Sequence, residues 1–145
     1  MSQSDTFNLQ RFVDAQCGVI ETALDELRSG SKQSHWMWFV FPQLAALGRS
    51  PTAKFYGIGS LAEARAYLDH AVLGPRLRHS VELLKPWAGK RSPEQIFGPV
   101  DVLKLRSSLT LFDRVQPRSE FDEALLNFFG GARDELTLAL LQRQQ

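Results

Sequence analysis

The 145-residue sequence is 43% hydrophobic and 23% charged, which is the composition of a globular protein rather than a disordered one. Its 17 Lys and Arg residues against 16 Asp and Glu residues give a formal net charge of +1, so the basic excess of a general nucleic-acid binder is missing. The only cysteine, Cys17, has no partner for an intramolecular disulfide. This length favours one domain, which we expect over residues 7–143 with flexible termini at residues 1–6 and 144–145.

The first two predicted helices lie in the first 30 residues. Gly18 separates the first helix from a second apolar run over residues 19–28, and Gly30 ends that run. Apolar residues at helical spacing face inward in the first helix: Leu9, Phe12 and Val13.

Serines that begin helices mark the middle of the chain. Ser50 precedes a proline at the first helical position, which is a typical helix start. Ser60 and Glu63 have the spacing of a capping box, in which a hydroxyl and a carboxylate satisfy backbone amides reciprocally. Ser92 and Gln95 repeat this spacing over a short helix that we expect the following Gly-Pro pair to close.

The remaining helices are predicted over residues 74–85, 101–115, 119–129 and 133–141, each bounded by glycine, proline or a capping residue. Two-residue hairpin turns between alternating segments are missing. The sequence therefore predicts an all-α fold, a compact array of about eight short helices around a central apolar helix. One stripe of the helix over residues 101–115 should face the core: Val102, Leu105, Leu109 and Phe112.

The segment over residues 34–43 contains four aromatic side chains and one imidazole. Its apolar positions surround a helical wheel on all sides, which predicts that this segment is the buried central helix. The structural interpretation is that its rings fill the core. The functional interpretation is that its polar edge lines a pocket, with His35 as a general base because histidine exchanges protons near neutral pH. The ligand-binding candidates here are Ser34, Trp36, Trp38, Phe41 and Gln43.

A second group of polar residues follows the predicted helix that begins at Asp101. Lys104, Ser107 and Ser108 share a helix face with this carboxylate. The structural interpretation is a dipole-stabilising aspartate paired with a surface lysine. The functional interpretation is a small anion-binding patch, with Asp101 orienting a water molecule or a sugar hydroxyl. Arg106 is a further candidate for binding an anionic group.

Other classes of site find little support in the sequence. The three histidines are dispersed without the spacing of metal ligands, so we expect no metal, and no dinucleotide or phosphate-loop fingerprint indicates a cofactor. His70 falls near a helix end, where we expect a cation to suit the helix dipole. The start of the chain lacks a secretory pattern and the longest strongly apolar run, residues 36–41, is too short to span a bilayer, so we expect a cytoplasmic protein.

Several separated strings of the sequence together resemble the DUF1810 family, and they cover nearly the whole chain. They lie at residues 9–16, 34–43, 48–51, 73–77 and 101–112. The resemblance implies a small, mainly α-helical and largely bacterial protein, of a family whose activity is open and whose members are sometimes called calpastatins. The calpain inhibitor of that name is disordered and repetitive, whereas this sequence has the aromatic content of a packed globule.

Two classes of function remain open from the sequence. In the first, a small anionic, ring-bearing ligand such as a nucleotide or an ADP-ribose-like compound binds between the aromatic helix and the Asp101 helix. If that site is catalytic, a metal-independent hydrolysis is favoured, with His35 or Asp101 activating water. In the second, an exposed part of the aromatic segment docks a partner protein and there is no catalytic activity. Solvent exposure of the aromatic side chains distinguishes the two.

Overall fold

The computed structural model describes residues 5–144, and the described chain is built of α-helices as predicted. Short 3₁₀ turns at Ala45–Leu47 and Lys85–Trp87 and one isolated parallel bridge between Leu44 and Ile58 complete the regular structure. In chain order the helices are α1 (Gln10–Gln16), α2 (Ile20–Arg28), α3 (Met37–Val40), α4 (Pro51–Phe55), α5 (Leu61–Asp69), α6 (Leu73–Leu84), α7 (Pro93–Val115), α8 (Glu120–Phe129) and α9 (Glu135–Arg143).

Helices α6 and α7 organise the packing. Helix α7 contacts α5, α8 and α9, while α6 contacts α2, α5 and α8. The stripe predicted on the helix after Asp101 is buried: Val102 is 6% exposed, and Leu105, Leu109 and Phe112 are 0–1% exposed. No helix among the described residues is long and apolar enough to cross a membrane. The predicted flexible termini fall largely on residues 1–4 and 145, which lie outside the described residues.

The two predicted capping boxes differ. At the start of α7 both halves form, since Ser92 Oγ accepts from Gln95 N at 3.1 Å and Gln95 Oε1 accepts from Ser92 N at 2.8 Å. At the start of α5 only the serine half forms, with Ser60 Oγ accepting from Glu63 N at 3.1 Å. The second half is wrong, because Glu63 Oε1 accepts from Gly59 N at 2.9 Å, one residue before the predicted amide, and Glu63 Oε2 forms an ion pair with Arg11 at 2.7 Å. The carboxylate therefore combines a local backbone contact with a long-range ion pair.

Helix α7 contains the break that the sequence predicts between a short helix and a long one. Gly98 has φ of +85°, in the region that favours glycine, and Pro99 follows it. The residues on either side are helical, so α7 is two helices joined at a kink. This kink sets the start of the segment that carries Asp101.

The aromatic segment is buried only in part, since Trp38 and Phe39 are half-buried and His35 is exposed, and it is helical only over the single turn of α3. Trp36 is fully buried and Phe41 is 1% exposed. The prediction of a helix along residues 34–43 is wrong at both ends. Phe41 precedes Pro42, and proline disfavours helical backbone in the residue before it. At the other end, the Glu26 carboxylate binds the backbone N–H of Ser34 at 3.0 Å and fixes a non-helical approach.

His70 caps the helix that follows it in the chain. It follows the last residue of α5, and its Nδ1 accepts hydrogen bonds from Val72 N at 3.1 Å and Leu73 N at 3.2 Å. The acceptor in both hydrogen bonds is Nδ1 of the imidazole ring. The ring therefore caps the start of α6, whereas the sequence analysis considers only its place near the end of α5.

Replacing His70 with alanine should lower the free energy of unfolding by about 1 kcal/mol, the usual effect of losing a side-chain cap. Asparagine has an oxygen that accepts the same kind of bond, so His70→Asn should lose less. Urea unfolding at pH 8, followed by circular dichroism, measures both variants against the parent protein. Equal stability of the parent and His70→Ala would show that the cap contributes nothing.

Candidate functional site

The two segments selected from the sequence meet at a charged network of three side chains, Lys32, Asp101 and Lys104. Lys32 Nζ lies 2.8 Å from Asp101 Oδ2, and Lys104 Nζ lies 3.2 Å from Asp101 Oδ1. Lys32 Nζ also donates to the backbone oxygen of Ser34 at 2.5 Å. The start of the aromatic segment and the first turns after the α7 kink are thereby joined.

Both lysines of this network also lie over tryptophan rings. Lys32 Nζ is 4.9 Å from the Trp36 ring centroid, and Lys104 Nζ is 4.6 Å from the Trp38 centroid. The side chains of the two lysines are only 6% and 15% exposed, respectively, which strengthens a cation–π contact relative to one in water. The aromatic segment therefore holds two ammonium groups close to the same carboxylate.

Asp101 is held as an anion by this arrangement. Burial favours its neutral form, but hydrogen bonds from Lys32 and Lys104 outweigh burial and lower the pKa of Asp101 below its usual value. Each carboxylate oxygen has a lysine partner, so the group is occupied as an ion-pair acceptor. The other catalytic candidate, His35, is exposed on the surface.

A glutamate that the sequence analysis did not select anchors the start of the aromatic segment. Glu26 Oε1 accepts from Gln33 N at 2.7 Å, from Ser34 N at 3.0 Å and from Trp36 Nε1 at 2.9 Å. Glu26 Oε2 accepts from the Ser34 hydroxyl. The carboxylate thus satisfies the indole N–H of a fully buried ring, and Ser34 serves this contact rather than an open pocket.

A groove of about 280 Å³ lies beside the charged network, between the end of the aromatic segment, α7 and α9. We call it the α7–α9 groove. Three large apolar side chains on its rim are more than half exposed: Val100 at 64%, Leu103 at 59% and Leu136 at 55%. Leu47 and four polar residues complete the lining. Its residues are Gln43, Leu47, Val100, Leu103, Lys104, Ser107, Asp134 and Leu136.

The wall formed by α9 is fixed to α7 by hydrogen bonds. Thr110 Oγ1 accepts from Asp134 N at 2.9 Å and donates to the Arg106 carbonyl oxygen at 2.8 Å. Asp134 also caps α9, since its Oδ2 accepts from Thr137 N at 3.1 Å. Both walls of the groove are therefore held by defined contacts rather than by loop packing alone.

Some predicted ligand-binding residues reach this groove and others do not. Gln43, Lys104 and Ser107 line it. Trp36, Phe41 and Ser108 are at most 1% exposed, so none of the three faces solvent. Trp38 lies under the Lys104 ammonium, Arg106 lies with its guanidinium 5.9 Å from the Phe129 ring centroid, and Ser34 binds Glu26.

Sequence reasoning missed the apolar rim and Asp134. Val100 and Leu103 lie off the buried stripe of α7, which is a signal that apolar side chains face solvent there. Leu136 follows the capping residue of α9 and is exposed in its first turn. Within residues 5–144, no group of three or more His, Cys, Asp and Glu side chains is arranged to hold a metal ion.

The chain is similar to known proteins in both sequence and structure. A family model described as "Protein of unknown function (DUF1810)" matches residues 6–141. The crystal structure of the conserved hypothetical protein Rv1873 from Mycobacterium tuberculosis is similar, with 52% sequence identity and a TM-score of 0.92. The alignment covers 95% of this chain and 99% of that chain. No curated protein matches.

Proposed function

The chain belongs to the DUF1810 family of proteins of unknown function, as its motifs predict, and we propose that it binds a small anionic ligand with an apolar body in the α7–α9 groove. One observation carries the proposal. Three polar residues selected as ligand contacts from the sequence, Gln43, Lys104 and Ser107, line one groove together with three exposed apolar side chains. Ligand sites usually combine an apolar lining with a few convergent polar groups.

Lys104 supplies the charge that an anion needs. An ammonium group has three N–H donors, and Asp101 takes one of them at 3.2 Å. The low exposure of the Lys104 side chain, 15%, reduces competition from water for the remaining donors. Nearby donors are the amide of Gln43 and the hydroxyl of Ser107, which line the same groove. These groups suit one carboxylate or sulfate head group.

The apolar rim suits the rest of the ligand. Exposed apolar patches rimmed by polar residues are typical of binding sites. Covering Val100, Leu103 and Leu136 with a hydrocarbon contributes about 25 cal/mol for each Å² removed from water. Because Trp36 and Phe41 are buried, a ring in the ligand would contact these aliphatic side chains rather than stack on the aromatic segment.

The test is a thermal-shift series with acetate, butyrate, hexanoate and benzoate against the parent protein and Lys104→Met. A ligand that binds only the folded state raises the apparent Tm, and the rise should grow with the apolar length of the ligand. Lys104→Met should remove most of the rise. Lys54→Met, at an exposed lysine that does not line the groove, is the matched control and should keep it. No rise with any of the four anions would contradict the proposal.

The second candidate is a protein-interaction surface at the same groove, and the exposure of its apolar rim favours it. A partner would insert an apolar side chain between Leu103 and Leu136 without needing the Lys104 charge. In the same assay, uncharged acetylated and amidated leucine or phenylalanine peptides would then raise the Tm of the parent and of Lys104→Met equally. Leu136→Ser should abolish that rise, since serine removes the apolar wall.

A further inference from the structure

The charges around the α7–α9 groove are nearly balanced, and this limits the ligand that the proposed function allows. Lys104 is the only cation among the described residues that line the groove, and Asp134 lines it with the opposite charge. The Asp101 carboxylate lies 3.2 Å from the Lys104 ammonium. Lys32 also pairs with Asp101, but its side chain is 6% exposed and it does not line the groove.

Asp134 is fixed in place by its structural role. Its Oδ2 accepts from the Thr137 backbone N–H at 3.1 Å and from the Thr137 hydroxyl at 2.5 Å. Its own N–H donates to Thr110 at 2.9 Å. The carboxylate is therefore held at the start of α9, where Asp134 lines the groove, and it cannot move away without uncapping this helix.

From these contacts we infer that the ligand is a singly charged anion on an apolar body, such as a monocarboxylate, and that Asp134 weakens the binding of doubly charged anions. The inference rests on the proposed function. A monoanion is balanced by the Lys104 ammonium. A second negative charge, as on a phosphate monoester or a nucleotide, meets no further lining cation and is repelled by Asp134 and Asp101.

Hexyl sulfate and hexyl phosphate test this inference, because they share a tetrahedral head group and a chain but carry one and two negative charges at pH 8. Their Kd values are measured by calorimetry at low ionic strength, well below micelle-forming concentrations. The parent protein should bind the sulfate about five- to tenfold more tightly than the phosphate. Asp134→Asn should narrow or abolish this ratio, since asparagine also caps a helix but carries no charge.

Glu21→Gln, at an exposed carboxylate on α2 that does not line the groove, is the matched control and should keep the parent ratio. A parent protein that binds both probes equally, or prefers the phosphate, would overturn the inference while the proposed function stands. The inference would also be overturned, with the proposed function intact, if Asp134→Asn kept the parent's preference for the sulfate and was as stable as the parent. Absence of binding by either probe to either protein would overturn both.

Discussion

Glu26→Ala should lower the free energy of unfolding by about 3 kcal/mol or more, because one carboxylate serves four donors at the start of the aromatic segment. Alanine leaves the indole N–H of fully buried Trp36 without its partner. It also releases the backbone N–H groups of Gln33 and Ser34. Urea unfolding at pH 7, followed by tryptophan fluorescence, measures the loss.

The same carboxylate should make stability depend on acid. Burial opposes ionisation of Glu26, but hydrogen bonds from Ser34, Gln33 and Trp36 outweigh burial and lower its pKa from 4.5 to about 2. Because the pKa is lower in the folded protein, the stabilisation is fully present above pH 4.5 and is lost as the pH falls toward 2. Its size is at most about 3 kcal/mol, since Glu26 is only partly buried and solvent screens part of the interaction.

Glu26→Gln removes the charge but keeps a hydrogen-bond acceptor, so it separates these two contributions to stability. Its amide oxygen accepts from the same backbone and indole N–H groups, and its NH₂ donates to the Ser34 hydroxyl, which can also accept. At pH 7 we expect this variant to be less destabilised than Glu26→Ala. Between pH 4.5 and 2 its free energy of unfolding should fall less than that of the parent protein. Glu21→Gln, at an exposed position on the same helix, should keep the parent acid profile. A parent-like acid profile for Glu26→Gln would contradict the assignment.

Features that depend on nearby residues could be predicted from the sequence. The Ser92 capping box joins residues three apart, and the Gly98 break needs only one glycine and one proline. The core stripe of α7 follows from helical periodicity. The Glu63 carboxylate shows where this reasoning fails, because its partner Arg11 is 52 residues away. Arg11 binds one oxygen of this carboxylate, and the other oxygen accepts from Gly59 N, one residue before the predicted amide.

The aromatic segment shows a second limit. An apolar pattern on every side indicates burial, but it carries no period that distinguishes a helix from an irregular buried segment. The backbone there is decided by the Glu26 contacts and by Pro42, and Glu26 lies on a different helix. Buried Trp36 signals that its indole N–H needs an acceptor, but the sequence does not say which carboxylate supplies it.

Only part of the candidate site could be predicted from the sequence, because the rest depends on contacts between distant residues. Lys104 and Ser107 share a helix face, so helical spacing brought them together, and both line the groove. Asp134 joins them through the packing of α9 on α7, which involves residues 24 positions apart at Thr110. Apolar residues usually face inward, but those of the rim are exposed. Patterns that predict core residues therefore do not identify Leu136 as part of a site.

Lys32→Met should also be strongly destabilising, by about 3 kcal/mol, because the Lys32 side chain is 6% exposed and charged. Its ammonium binds Asp101 Oδ2 at 2.8 Å and the Ser34 carbonyl at 2.5 Å. Methionine keeps most of the contact with the Trp36 ring but leaves Asp101 with Lys104 alone. Lys85→Met is the matched control. It breaks an exposed pair with Glu123, in which the side chains are 61% and 48% exposed, and should lose much less stability than Lys32→Met because solvent screens this pair.

A double-mutant cycle with Asp101→Asn isolates the pair. Asp101→Asn alone leaves the buried Lys32 ammonium without its carboxylate, so each single change removes one partner of a buried ion pair. The double variant leaves neither charge unpaired at this contact and should therefore lose less stability than the two single losses added together. Strictly additive losses, measured by urea unfolding at pH 7, would contradict this coupling. The cycle also bears on the groove, because Asp101 in Lys32→Met pairs only with Lys104, which should weaken binding of an anion there.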